Sequence, residues 1–321
     1  MSGEATDKTI AIVGAGLVGL GWAIVFARAG CRVKVFDHSE QIIEELPGQL
    51  TTILADLVSF ELLDDAEAVS ARITLTASLA EAVRDVSYVQ ESVLEQVKVK
   101  RALYAELDGL LGPDTIVGSS SSGIPASQFT EGLSISPRCL VAHPVNPPYL
   151  VPLVELVPAD WTSPQSVDAA YQLMQQVGQH PIRINREVNG FVLNRLQGAL
   201  LREAWALYDE GYCSVEDIDA TVSKGLGLRW SFMGPFETID LNAPGGVADY
   251  AHRLGDLYLE LARERTDPQP WSEELIDRVE SERNQLLSRD ALRDRTRWRD
   301  RRLMALASHK RDTQDSVPIW V

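Results

Sequence analysis

Short apolar, β-branched runs alternate with longer helical patterns over the first 185 or so residues of the chain. The runs fall at 9–13, 32–36, 72–76, 86–90, 115–118, 139–142 and 152–157. Alternation of this kind predicts βαβ units, an α/β fold with a mostly parallel, twisted sheet covered by helices on both faces. After Gly190 the strand signal stops. The segment 191–210 reads as one amphipathic helix, with Leu193, Leu196, Leu200, Ala204 and Leu207 at helical spacing. Helical patterns continue to the end, broken by expected loops at 225–234 and 243–246. The shift near 187–190 divides the chain into an α/β domain over 1–187 and an all-α domain over 188–321.

The length of 321 residues suits two domains, and 45% hydrophobic residues suffice for their cores. Forty-six acidic residues against 30 basic ones leave a net charge of −16, which excludes a nucleic-acid or anionic-membrane surface as a main function. No apolar run reaches the roughly 20 residues of a membrane span. Residues 1–9 carry no apolar core of a secretory signal. Cys31, Cys139 and Cys213 stand apart, without the spacing of a disulfide framework or a zinc site. These features predict a cytoplasmic protein that holds no metal. The region 263–311 is dense in both charge signs and reads as a solvated helix pair or a subunit-wrapping tail.

The first run, Thr9–Val13, leads directly into Gly14-Ala-Gly16-Leu17-Val18-Gly19 and then a helical pattern. A G-x-G-x-x-G between strand and helix has a physical use. Gly14 permits the tight turn, Gly16 lets the backbone approach a pyrophosphate, and Gly19 lets the helix pack on the strand. Leu17 and Val18 lie in the same turn and are expected to contact the cofactor. The helix N-terminus faces the phosphates with its positive dipole end. The second run ends in Asp37, 18 residues past Gly19, with no Arg in His38-Ser39-Glu40. A carboxylate there accepts hydrogen bonds from both ribose hydroxyls and repels a 2′-phosphate, so NAD is expected rather than NADP. The fold is thus a Rossmann-type, doubly wound one.

Two further segments follow apolar runs, where open α/β sheets place ligands. One is Gly118-Ser119-Ser120-Ser121-Ser122-Gly123-Ile124-Pro125; the other is His143-Pro144-Val145-Asn146-Pro147-Pro148-Tyr149. Of five histidines, His143 is the candidate general base for alcohol oxidation. Glu155 interrupts an otherwise apolar run and is costly to bury without a partner. Pairing with His143 would orient the imidazole and raise its basicity. From the residues alone, the serines also fit a helix cap and His143 a plain loop position.

The segments GAGLVG, ESVLE, SSSSGIP, HPVNPPYLVPLVELVP, EVNGFVLNRLQ and GLGLRWSFMGPFET together resemble the 3-hydroxyacyl-CoA dehydrogenase superfamily, most of all the branch of lambda-crystallin and L-gulonate 3-dehydrogenase. The likeness runs from about Ile10 to Asn242. It implies His143 as catalytic base with Glu155 as partner. It implies Ser121 at the reacting oxygen, with Ser120 or Ser122 as alternatives, and Asn194 reaching the same centre from the first helix of the second domain. Asn146 is expected beside the substrate, and Glu95 and Lys100 beside the nicotinamide. A homodimer through the helical domain is also implied.

The segment 35–71 bears on the substrate. It carries no Lys or Arg at all, but holds Glu40, Glu44, Glu45, Asp56, Glu61, Asp64 and Asp65. Such a surface repels the phosphates of coenzyme A. A small free L-3-hydroxy acid is therefore expected: L-gulonate first, then L-3-hydroxybutyrate or L-carnitine, with an acyl-CoA behind them. Arg229, beside Trp230 and Phe232, is the candidate for its carboxylate, and Arg195 the rival. A crystallin-like structural role and NAD binding without turnover are the readings from other classes.

Overall fold

The computed structural model describes residues 8–76 and 78–313. The residues preceding Lys8, read above for a secretory signal, lie outside them. The chain forms two compact units, one of residues 1–196 with 295–321 and one of 197–294.

The first unit is the α/β one. β1 (Thr9–Val13) leads through α1 (Leu17–Arg28) to β2 (Arg32–Phe36), and α2 (Glu40–Ser59) and α3 (Ala66–Ser70) lead to β3 (Ile73–Leu75). Then come α4 (Leu79–Ala82), β4 (Tyr88–Glu91), α5 (Val97–Leu110), β5 (Ile116–Ser119), α6 (Ser127–Thr130) and β6 (Cys139–Pro144). β7 (Leu153–Pro158), α7 (Pro164–Gln176) and β8 (His180–Arg183) complete it. The strand order is β3-β2-β1-β4-β5-β6-β7-β8. All neighbours are parallel except β6 and β7, so β7 and β8 run against the rest. The order reverses at β1, between β2 and β4, which is where a doubly wound sheet opens a crevice at its carboxyl edge.

The mostly parallel sheet expected from the alternation is present, with strand ends moved by one or two residues. β8 escaped the pattern. It is a four-residue edge strand, His-Pro-Ile-Arg, exposed at both ends, and a proline is tolerated there because an edge needs fewer ladder bonds.

Period-two alternation distributes the core. Ile10 and Ile12 enter the cluster on one sheet face, Ala11 and Val13 the cluster on the other. α1 is buried on every side from Gly19 to Ala27, which is why its sequence is apolar all round rather than striped.

From 193 onward come α8 (Leu193–Asp209), α9 (Val215–Ala220), α10 (Gly227–Trp230), α11 (Pro235–Leu241), α12 (Gly246–Arg263), α13 (Glu273–Leu286) and α14 (Leu292–Thr313). Two expectations change here. The loop at 225–234 is partly helical: a π-helical turn over Thr221–Leu226 runs straight into α10. The helix expected from Phe191 begins at Leu193, because Gly190 and Phe191 both have positive φ.

A third change concerns the domain plan, in which 188–321 formed one helical domain. α14 belongs to the first unit. Its Met304 is 2% exposed inside the core cluster that holds α1 and α2. Arg297 Nε and Arg301 Nη2 donate to Asp56 of α2 at 3.4 and 2.8 Å, and Ser308 Oγ donates to the Phe60 carbonyl at 2.6 Å. Burial alone would raise the Asp56 carboxyl, but the two guanidinium groups outweigh it and hold the pKa below the ordinary value. A charge-rich tail thus folds back because α2 is acidic and α14 basic.

Candidate active site

At the end of β1 the glycines do what their spacing requires. Gly14 has φ +94°, and a Cβ there would stand 2.6 Å from the backbone of Ser92 beyond β4. A Cβ on Gly19 would lie 1.8 Å from the Gly14 carbonyl oxygen. Gly16 is different: nothing lies within 4 Å of its Cβ position. It is also the N-cap of α1 and provides no capping side chain. The first turn of that helix is therefore left without a side-chain cap, as an anion site requires. Leu17 opens the helix and is 73% exposed, whereas Val18 packs against the core.

Asp37 closes this site from β2. Its Oδ2 accepts the Ala15 amide at 2.7 Å and its Oδ1 the Ser39 amide at 2.9 Å. The carboxylate is thereby fixed beside the glycine turn, where a carboxylate at the end of the second strand can accept from ribose hydroxyls. A cradle with room at Gly16, an uncapped helix start and a fixed carboxylate fits NAD.

The serine run leaves β5 and its four hydroxyls separate sharply. Ser119 donates to buried Glu91 at 2.6 Å and accepts from Lys100 Nζ and from the Ser121 amide. Ser120 accepts from Trp22 Nε1 at 3.1 Å and from Gln90 Nε2 at 2.7 Å, so its own hydrogen goes to Ser92 Oγ at 2.8 Å. A hydroxyl has one donor and two acceptor sites, and both serines have filled theirs. Ser120, open as an alternative in the sequence, is therefore engaged in holding α1, β4 and β5 together. Ser121 donates to Glu95 at 3.0 Å and accepts from the Ile124 amide at 3.1 Å, which leaves one lone pair. Ser122 also donates to Glu95.

Glu95 therefore gathers the run, accepting from Ser121, from the amide and hydroxyl of Ser122, and from the Gly123 amide. Burial alone would raise its carboxyl; these donors together hold it below the usual range. Lys100 is the residue expected beside the nicotinamide. It is 1% exposed and donates to both oxygens of Glu91, at 2.7 and 2.9 Å, besides Ser119. Glu91 was missed because the expected strand ended at 90. The signal was available, since Gln90 and Glu91 are polar residues in a fully buried strand.

His143 and Glu155 meet through strand register. They are direct partners in the antiparallel β6–β7 pair, and opposite residues on such a pair share one face. His143 Nδ1 and Glu155 Oε2 are 2.7 Å apart. The other oxygen, Oε1, accepts the amides of Val192 and Leu193 at 2.8 and 2.9 Å, at the start of α8. Glu155 is 1% exposed. Burial would raise its pKa, but the bonds from His143, Leu193 and Val192 prevail and keep it below the ordinary value. An ionised carboxylate only accepts, so Nδ1 carries a hydrogen, and in the neutral imidazole the lone pair then falls on Nε2. Phe191 packs on the imidazole with centroids 5.7 Å apart.

Asn194 joins this group, its Nδ2 donating to the Ser122 carbonyl at 2.6 Å. Asn146 lies exposed in the turn after β6. Arg195 is exposed next to Asn194; Arg229 is on α10 in the second unit, also exposed.

Comparison with known proteins gives the family. The 3-hydroxyacyl-CoA dehydrogenase NAD binding domain matches residues 9–188, and the C-terminal domain of the same family matches 190–286. The chain belongs to the 3-hydroxyacyl-CoA dehydrogenase family. It is 39% identical to lambda-crystallin of Oryctolagus cuniculus over 313 residues, covering 95% of this chain and 97% of that protein. It is 34% identical to an L-carnitine dehydrogenase of Pseudomonas sp over 300 residues, or 93% and 92% of the two chains. Among solved structures, 5-formyl-3-hydroxy-2-methylpyridine 4-carboxylic acid 5-dehydrogenase, an NAD-dependent dismutase, superposes with a TM-score of 0.81 at 29% identity, over 94% of this chain and 97% of that one. With the family goes the enzyme class: this is an NAD-dependent hydroxy acid dehydrogenase. Among the described residues no cluster of His, Cys, Asp or Glu is arranged to hold a metal ion, and no helix is long and apolar enough to cross a membrane.

Proposed function

We propose that this dehydrogenase oxidises a small free L-3-hydroxy acid to the 3-keto acid, with His143 as base. The observation that carries the reading is the buried His143–Glu155 pair, whose hydrogen bond leaves Nε2 as the imidazole's proton acceptor. Bound NAD supplies the hydride acceptor. His143 Nε2 takes the hydroxyl proton while Glu155 stabilises the resulting imidazolium. The substrate's single hydroxyl hydrogen goes to His143, so Ser121 serves the reacting oxygen as a donor, by turning its own hydrogen from Glu95 to that oxygen, and Asn194 keeps the serine run in place through Ser122. The assignment of Arg229 to the substrate carboxylate rests on its sequence setting.

L-gulonate is the first candidate, with L-3-hydroxybutyrate and L-carnitine next. The acidic stretch after β2 supports a free acid over a coenzyme A thioester. α14 does bring arginines to that stretch, but Arg297 and Arg301 are engaged by Asp56, and Glu40, Glu44, Glu45, Asp64 and Asp65 remain. Two relatives point the same way, being named for L-carnitine and for a pyridine carboxylic acid. NADH appearance should be measured over the three acids and 3-hydroxybutyryl-CoA. Turnover of a free acid is expected; turnover of the thioester alone would overturn the assignment.

A second copy of the chain is proposed to cover the apolar side of α12. That helix buries none of its residues, and Leu257, Tyr258, Leu259 and Leu261 are 46–52% exposed. Sedimentation equilibrium is expected to give twice the 35.4 kDa chain mass; a monomer at micromolar concentration would refute it. The cytoplasmic placement is supported by the isolated spacing of Cys31, Cys139 and Cys213 along the sequence, and cell fractionation tests it.

A further inference from the structure

We propose that Arg28 and the C-terminal helix α14 hold the turn that follows His143, and so position Asn146 at the active site without touching the substrate. The inference rests on the reading of Asn146 as a residue beside the substrate.

The turn joins β6, which carries His143, to β7, which carries Glu155. Asn146 is exposed in it, whereas Pro147, Pro148 and Tyr149 are buried. The turn is thus rooted by its second half and presents one amide side chain. Part of its closure is local, since the amides of Leu150 and Val151 both donate to the Pro147 carbonyl at 3.0 Å. The rest comes from α1 and α14. Pro148 lies so close to α1 that a Cβ on Gly21 would stand 2.7 Å from its Cδ. Two turns further along α1, Arg28 donates from Nη1 to the Tyr149 carbonyl at 2.8 Å. Burial lowers the pKa of Arg28 to about 10, which leaves it charged at neutral pH. Among the described residues no carboxylate pairs with it. Withdrawing a guanidinium from water without a counter-ion is costly, and the charge-assisted bond to the turn offsets part of that cost.

α14 reaches the same turn. Tyr149 and Met304 of α14 belong to one core cluster. Burial raises the Tyr149 hydroxyl, and the next influences on it are Asp300, which adds to the rise, and Arg299, which opposes it. Both are on α14, which is itself fastened to Asp56 of α2. The matched C-terminal family domain ends at residue 286, and α14 begins at Leu292. The brace on the turn is therefore an element outside the two matched domains. Anchored at Pro148, at the Tyr149 carbonyl and at the Tyr149 ring, the turn holds Asn146 in one direction, and geometry of that kind is what supporting residues contribute to a rate.

The test expresses rates per NADH site titrated by fluorescence, so that unfolded chains do not count. The substrate is the most active of the three acids and 3-hydroxybutyryl-CoA. Arg28→Met keeps the apolar stem and removes the donor. It is expected to lower kcat/KM by about tenfold, the effect of one charge-assisted hydrogen bond, with the NADH dissociation constant unchanged. Arg28→Lys, which keeps a charged donor, is expected to recover part of the loss. Arg297→Gln combined with Arg301→Gln loosens α14 through exposed side chains and is expected to cost about 2- to 5-fold in kcat/KM. Should Arg28→Met not fold, this second variant carries the decision by the same two readouts. Adding Asn146→Ala to Arg28→Met is expected to cost little beyond Asn146→Ala alone, because both act through one side chain. Losses that simply add would overturn the route through Asn146. A fall in NADH affinity in step with kcat/KM would make Arg28 a support of α1 and its nucleotide cradle, and would overturn the proposal. Full activity in Arg28→Met, with Asn146→Ala impaired, would overturn the positioning role by itself. Full activity in Asn146→Ala would instead overturn the reading of Asn146, and the role with it.

Discussion

Replacing His143 with alanine is expected to lower kcat by about 10²- to 10⁴-fold while NADH binding persists, because the change removes the general base and leaves the cofactor site intact. The rate of NADH production against the parent protein measures it. Equal rates would remove His143 from the chemistry, and a parent without turnover would favour a crystallin-like or purely NAD-binding role. Glu155→Gln is a finer probe. The Oε1 of Glu155 accepts two amides, from Val192 and Leu193, so a glutamine would turn its oxygen toward them. Its NH₂ would then face His143 Nδ1, which forces the hydrogen onto Nε2 and abolishes the base. A loss on the order of 10²- to 10⁴-fold is expected for this conservative change too.

The same carboxylate has a pH signature. Its folded pKa lies below the ordinary value, since the bonds from His143, Leu193 and Val192 outweigh burial. The unfolded chain therefore binds the proton more readily than the folded one. The stability Glu155 contributes is complete above an unfolded pKa of about 4.3, and is lost as pH falls through the lower, folded value. Acid unfolding followed by circular dichroism is expected to show this component in the parent and not in Glu155→Gln.

Gly19→Ala is expected to disrupt the nucleotide-binding unit itself. The added methyl carbon would stand 1.8 Å from the Gly14 carbonyl oxygen, a backbone atom that cannot turn away. The cost belongs at or beyond the upper end of the roughly 1–3 kcal/mol of ordinary overpacking, and NADH binding goes with it. Gly16→Ala makes the contrast. Nothing lies within 4 Å of that methyl position and the residue has φ −63°, so stability should stay within about 0.5 kcal/mol. NADH affinity should nonetheless fall about tenfold or more, because the methyl group occupies the pyrophosphate's approach. Denaturant unfolding and fluorescence titration of the two variants separate fold from binding. Undiminished affinity in Gly16→Ala would refute the close-approach reading.

Much of this was legible in the chain. Alternation of apolar runs and helical patterns predicts the parallel sheet, since period-two burial and the 3.6-residue stripe are local properties. Gly14, Gly16, Gly19 and Asp37 could be read together because one βαβ unit contains them all. β8 could not, because a short exposed edge strand with a proline lacks the alternation that marks a strand. Nor could the helix start after Phe191, where two consecutive residues with positive φ delay α8 to bring an aromatic ring onto His143.

Local order along the chain thus determined the α/β class, the NAD cradle and the candidates His143 and Glu155, while Ser121 and Asn194 came from the family resemblance. Tertiary structure decided how they are used. Antiparallel register, which depends on how two strands meet across an intervening loop, set Glu155 opposite His143. Hydrogen-bond supply from Trp22, Gln90 and Ser92, distant in sequence, engaged Ser120, whereas Ser121 turns to Glu95. Burial turned Lys100 inward to Glu91, and charge complementarity brought α14 back to Asp56. Each depends on which groups the fold brings within about 3 Å of one another, a distance that sequence spacing does not encode.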